Sequence, residues 1–424
     1  MKTSRMAASG CLVAALAVGI AACGSDSSSS GGSSSSGSGG QSKTLDIYSS
    51  LPLQGASRAQ TEALNNGAKL ALAQKGGKAG NFKIKFITLD DSTAQAGAWT
   101  PEATQANARK VAQDKNAAAY LGEFNSGASA VSIPILNEAG VPQISPANTA
   151  VGLTTNEAGA APGEPEKYYP AQTRTYARIV PKDTIQGAAL ATLMKQDGCT
   201  KVAMTNDKEV YGAGLAKNIE LAAKSQGLNI ISNDAIDKNA ANYRSLASKA
   251  KSAGADCFVF SGITANGAVQ QYKDFGAALP NAKLYGPDGV AESGFVNPKQ
   301  GGIPLSLDPR VKVTVATLDP GSYPPEGQQF FKEFTQKYGV KNPDPYAIYG
   351  YEAMNLALDA IKRSNTGTKE DILKAIFATK DRSSVLGTYS IDKNGDTTLT
   401  DYGVYAVDNG DLKFDETIKA KPAG

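Results

Sequence analysis

Two hydroxyl residues, Ser126 and Thr149, offer the clearest chemistry in the sequence. Each follows a short apolar run, at 117–121 and 141–144. Between them Ala130, Ile133, Leu136 and Ala139 recur at helical spacing, so 122–149 reads as the turn after a strand, a helix opening at Ser126, a second strand and a second turn. The first turn of a helix has backbone N–H groups without intrahelical partners and carries the positive end of the dipole. Together with two hydroxyls, such donors suit a small anion such as a carboxylate. Either residue alone reads equally well as a helix cap or a turn residue. Their joint occurrence after consecutive strands of a parallel sheet favours a site, because ligands collect at the carboxyl ends of such strands.

Other chemistry is thin. The chain has no histidine, which removes Ser-His-Asp and Cys-His nucleophile systems and His-ligated metals. Asp90 and Asp91 are adjacent on an expected strand and point to opposite faces, so they read as a turn with one solvated acid rather than an acid/base pair. Tyr211-Gly-Ala-Gly-Leu215 opens a helix but lacks a full Gly-x-Gly-x-x-Gly, and no Walker-type Gly-Lys-Ser/Thr occurs. Asp392-Lys-Asn-Gly-Asp396 starts like a calcium loop, yet Thr397 and Gly403 stand where Gly and Glu are required. No catalytic group, cofactor or metal is therefore expected. Formal charge is +3 with acids and bases interspersed, which gives no basic face for nucleic acid.

The elements that would position these residues alternate strand and helix from 44 onward, predicting an α/β chain of doubly wound parallel sheets. The rhythm breaks at 156–175, rich in Gly, Pro and charge, which reads as a mobile surface insertion. It restarts at 184 and repeats the first half in architecture. Near the end, 385–391 and 401–407 read as two strands of a hairpin turning at 392–396. Cys199 and Cys257 each sit at the start of an apolar strand. Should those strands be neighbours, the sulfurs begin at one edge and either pair or remain as buried thiols, and an exported protein favours pairing.

Export is indicated by the first residues. Lys2 and Arg5 precede an uncharged run, 12–22, too short to span a membrane, and Ile20-Ala-Ala-Cys23 resembles a bacterial lipobox with Ile for Leu. That resemblance implies a signal peptide over 1–22 and lipidation of Cys23. The Ser/Gly-rich 23–42 would then be a flexible tether to the membrane. The rest is long enough for about two domains.

Six marks in order, Pro52-Leu-Gln-Gly55, Leu89-Asp-Asp91, Ser145-Pro-Ala-Asn-Thr149, Asp183-Thr-Ile-Gln-Gly187, Tyr211-Gly-Ala-Gly214 and Gly286-Pro-Asp-Gly289, carry a resemblance over about 45–410. Taken together, they resemble type I periplasmic binding proteins, the branched-chain amino acid (Leu/Ile/Val) receptors of ABC importers. The resemblance implies two doubly wound lobes joined by a multi-strand hinge: lobe 1 from 43–178 and 318–395, lobe 2 from 179–317 and 396–424. It implies a solute carboxylate held at Ser126, Ala147 and Thr149, Tyr211 reaching the solute from the second lobe, a further contact at Thr264, and Asp288 on the solute's ammonium. It also implies an anchored monomer whose partners are a small amino-acid-like solute and a permease, and no nucleic acid. A sensor for a signalling partner, or a receptor for amides or small aromatic acids, would use the same frame.

Overall fold

The computed structural model describes residues 43–420; the expected signal, the tether and Cys23 lie outside the described residues. Ala117–Leu121 and Cys257–Ser261 are buried along their whole length, as strands covered on both faces must be. The first sheet has the order Lys78–Ala79, Phe82–Asp90, Thr44–Leu51, Ala117–Leu121, Gln143–Ser145, Tyr176–Arg178 and is parallel except for its two-residue edge strand. The second runs Asn229–Ala235, Lys201–Asn206, Cys257–Ser261, Lys283–Gly286, Val311–Val315, Tyr402–Asp408, Asp411–Ile418, with the last two joined antiparallel. This is the expected α/β architecture of two doubly wound lobes.

After Val311–Val315 the chain leaves the second sheet, and helix Ala347–Ser364 returns to pack on Arg58–Gln74. Glycine permits that crossing. A Cβ at Gly350 would lie 2.0 Å from the Leu64 carbonyl oxygen, and one at Gly67 would lie 2.2 Å from that of Ala347.

Two expectations are corrected. The hairpin of 385–391 with 401–407 does not form. Val385 and Leu386 instead turn a small hairpin between Arg382–Ser384 and Gly387–Tyr389, and Tyr402–Asp408 inserts between Val311–Val315 and Asp411–Ile418. Alternating apolar residues identify a strand but not its partner, and here one partner lies far back in the chain. The turn at 392–396 is present, closed by Asp392 N–H to Asp396 O at 2.8 Å and an Ile391–Thr397 bridge. The stretch 156–175 is anchored rather than loose. Tyr168 and Tyr169 are buried with Ile133, Ala150, Leu153 and Tyr176, Tyr169 donates to Leu153 O at 2.6 Å, and Tyr168 donates to buried Glu164 at 2.5 Å. Aromatic plugs need no period, so pattern reading passes over them.

Lys201–Asn206 and Cys257–Ser261 are parallel neighbours, and Cys199 and Cys257 are joined in a disulfide closing a loop of sequence separation 58. Restricting the unfolded chain in this way stabilises by up to about 4 kcal/mol. The double variant Cys199→Ser/Cys257→Ser is expected to unfold at lower urea concentration by a comparable free energy. Two free thiols in the unreduced parent, read by mass spectrometry, would contradict the pairing.

Candidate functional site

The turn after Ala117–Leu121 and the loop after Gln143–Ser145 are joined by side chains. Asn148 donates to the carbonyls of Glu123 and Phe124 at 3.0 and 2.9 Å; the Ser145 hydroxyl donates to Glu123 O at 2.9 Å and accepts the N–H of Asn148 at 2.9 Å. This fixes the start of helix Ser126–Glu138 beside Ala147 and Thr149. Ser126 Oγ accepts the Ala150 N–H at 3.3 Å, which leaves its own proton to donate, and Thr149 Oγ1 is buried without a hydrogen-bond partner. Beneath lies Arg178, 0% exposed, whose guanidinium donates to Asn148 O, Ala150 O, Thr154 Oγ1 and the Asp396 carboxylate. Loop 148–154 is thus wrapped around a buried cation.

The second lobe supplies the opposite pole. Asp288 follows strand Lys283–Gly286 and is 6% exposed; Tyr211, in the first turn of helix Val210–Ser225, donates to its Oδ1 at 2.5 Å. Tyr346, at the start of the helix returning to the first lobe, donates to its Oδ2 at 2.7 Å. Burial pushes the Asp288 carboxyl above its ordinary range, against the pull of the two hydroxyls. Gly289 makes room for Tyr211, since a Cβ there would lie 2.8 Å from the ring and 2.5 Å from Gly262 O. Asp207, pushed up to about 6 by burial, accepts from Asn266 at 2.9 Å and from the N–H groups of Glu209 and Ile263, tying two cleft loops together.

Between the poles is a cavity of about 430 Å³ counted out to its open mouth. Ser126, Ala147, Thr149, Tyr211 and Asp288 all line it. Thr264 does not; it lies in a neighbouring groove, and its hydroxyl donates to Gly289 O at 3.4 Å, so it supports the Asp288 turn. Sequence reading missed the wall of Trp99, Phe124, Ile263 and Tyr346, and Glu209. Trp99, the sole tryptophan, covers Gly127, and Phe124 meets Tyr346 edge to face at 5.9 Å. Phe124 falls inside the motif already singled out. The other residues come from segments that meet only in the fold.

Residues 49–411 match the family described as periplasmic binding protein. The chain belongs to that family. Among curated relatives, a Leu/Ile/Val-binding protein homolog of Brucella melitensis is 24% identical over 364 residues, 85% of this chain and 89% of that one. An amino acid binding protein of Pseudomonas aeruginosa is 25% identical over 334 residues, 77% of this chain and 80% of that one. Among solved structures, a leucine binding protein of Thermotoga maritima superposes with a TM-score of 0.75 at 22% identity, covering 88% of this chain and 99% of that one. A solute binding protein of R. palustris in complex with benzoate gives 0.71 at 20% identity, covering 89% and 97%. At those identities the structural likeness speaks for the fold alone.

As in any binding protein with a cleft between lobes, contacts across it matter. Glu292 of the second lobe is buried and accepts the hydroxyl of Ser57 from the first lobe at 3.3 Å, while Ser293 N–H donates to Asp344 at 2.8 Å. Among the described residues no cation acts on Glu292; burial pushes it up to about 7, and Asp344 is raised in the same way. The folded form therefore binds a proton more tightly than the unfolded chain, whose Glu titrates near 4.5. The resulting stability is fully present below about pH 4.5 and is lost as pH rises to about 7, a share of up to about 3 kcal/mol. Thermal unfolding of Glu292→Gln is expected to vary less between pH 5 and 8 than that of the parent. Parallel pH curves for the two would contradict this.

Proposed function

We propose that the chain is a lipid-anchored extracytoplasmic receptor that captures one small amino acid, a branched-chain amino acid fitting best, between its lobes and passes it to the permease of an ABC importer. The observation that carries this reading is the polarity of the cavity. The Ser126 and Thr149 hydroxyls and the first N–H groups of helix Ser126–Glu138 face, across the cavity, a buried Asp288 carboxylate that has two tyrosine hydroxyls and no cation among the lining residues. A zwitterion satisfies both ends: its carboxylate meets the donors, and its ammonium supplies the missing charge. Ile263 with Trp99 and Phe124 leaves an apolar wall for the side chain. In this reading the protein is a monomeric receptor and not an enzyme. Lobe 1 comprises 43–178 and 318–395, lobe 2 comprises 179–317 and 396–424, and Cys23 anchors the whole through the 23–42 tether. The packing of Ala347–Ser364 on Arg58–Gln74, and the place of Tyr402–Asp408 in the second sheet, support that partition.

A second reading, a small aromatic acid, draws on the aromatic wall and on the benzoate complex of the R. palustris neighbour. It leaves Asp288 without a counter-charge.

Calorimetry with leucine and with 4-hydroxybenzoate separates the two readings. Asp288→Asn is expected to cost leucine about 2–5 kcal/mol of binding, whereas Ser126→Ala, which keeps the backbone donors, costs about 1–3 kcal/mol. Leucine bound as tightly by Asp288→Asn as by the parent would refute the zwitterion reading. For the anchor, Cys23→Ala is expected to move the protein from the membrane pellet to the soluble fraction with an unchanged circular dichroism spectrum. Sedimentation with membranes equal to the parent's would refute lipidation at Cys23.

A further inference from the structure

The cavity opens to water where residues of opposite lobes meet. Of those that line it, Trp99, Glu209 and Gly289 keep partial exposure while the others are buried, so the mouth lies beside these three. Trp99 ends the short hairpin of Ser92–Thr93 with Ala98–Trp99 in the first lobe, and Glu209 immediately precedes helix Val210–Ser225 in the second. The two converge on Gly127, in the first turn of helix Ser126–Glu138. A Cβ there would lie 2.6 Å from the Trp99 ring and 3.2 Å from Glu209 Oε2, so a glycine at this position is what lets both side chains approach.

Glu209 is fixed where it stands. Its N–H donates to Asp207 Oδ1 at 3.1 Å, and its Oε1 accepts from Lys238 Nζ at 3.1 Å. Lys238 does not line the cavity, and its side chain is half exposed, so solvent weakens its hold on the pair and it offsets the Glu209 charge only in part. The other oxygen, Oε2, is the one beside Gly127. The charged residues of the lining are therefore Glu209 and Asp288, both acids. In the zwitterion reading the ammonium answers Asp288 and the carboxylate meets the hydroxyl pole. An apolar side chain has no use for a further acid, whereas a second negative charge on the solute would stand against Glu209 with no cation in the lining to receive it.

We propose that Glu209 is a specificity-determining residue of the solute site: standing with Trp99 at the mouth, its carboxylate rejects solutes that carry a second negative charge and admits those whose side chain is neutral. Specificity of this kind comes from the cost laid on the wrong solute rather than from a contact made to the right one. Lys238 sets the strength of the rejection, because it draws on the same charge from the solvent side. The inference rests on the reading that this cavity holds the solute, and it separates aspartate from asparagine as it separates an aromatic diacid from a monoacid.

Calorimetry with leucine, asparagine and aspartate reads the rejection, since the three side chains share one branched outline and the last two differ in charge. Weak binding is read by displacement of leucine. Glu209→Gln, which keeps the size and removes the charge, is expected to improve aspartate relative to asparagine by about tenfold or more. Lys238→Met, which leaves Glu209 bare, is expected to shift the same ratio the other way by about threefold. Aspartate that gains nothing on asparagine in Glu209→Gln, including aspartate that fails to displace leucine from the variant and the parent alike, would overturn the proposal. So would Lys238→Met and Glu209→Gln shifting the ratio in the same direction, as a merely structural ion pair would have it. Should leucine fail to bind the parent, the amino acid reading falls and the comparison passes to 4-carbamoylbenzoate and terephthalate, whose para groups differ in charge. A ratio for that pair unchanged by Glu209→Gln would overturn the proposal as well.

Discussion

Burying a carboxylate without a cation is the constraint around which the cleft is arranged. Asp288 is almost wholly out of water, and its two oxygens are held by tyrosine hydroxyls, one from the start of Val210–Ser225 and one from the start of Ala347–Ser364. Hydroxyls satisfy hydrogen-bonding capacity but bring no positive charge, so the electrostatic cost of burial is only partly offset. Because Tyr346 belongs to the helix that packs on the first lobe, this acid also joins the two halves of the molecule. No side chain lining the cavity brings a positive charge to it.

The opposite pole depends on a buried charge of the other sign. Arg178 is fully enclosed, and its ordinary partner is Asp396, in the turn at 392–396. Its remaining N–H groups hold the carbonyls of Asn148 and Ala150, which places the Ser126 and Thr149 hydroxyls where an anion can reach them. Gly395 O accepts the Arg178 backbone N–H at 2.8 Å, so the same turn grips both the main chain and the side chain. The shape of the anion pole is therefore set by a segment far away in sequence. Removing either member of the pair would strand a buried charge, a change that typically costs about 3–5 kcal/mol.

Much of this was legible in the sequence, for physical reasons. Parallel strands buried on both faces leave unbroken apolar runs, and helix starts leave hydroxyls and glycines, so the strand-turn-helix of 117–138 could be read directly, whereas Asp288 was singled out only through the family resemblance. The disulfide followed from two cysteines that start adjacent strands. Trp99, Tyr346 and Glu209 could not be read in this way, because nothing local marks a residue whose role comes from facing another lobe. Thr264 was placed one layer too close, since its position after a strand fixes the loop but not which side chain of that loop reaches the cavity. The anchored stretch 156–175 and the strand Tyr402–Asp408 share a cause: their partners are distant and their own patterns are compatible with several.

The central claim is that the cleft is polarised, with its donors at Ser126 and Thr149 and its acceptor at Asp288. A crystal structure of the protein grown with leucine tests it most directly. The account predicts the ammonium nitrogen within about 3 Å of an Asp288 oxygen and the leucine carboxylate on the Ser126 and Thr149 hydroxyls. Leucine lying with its carboxylate toward Asp288, or bound only outside the cavity, would contradict it.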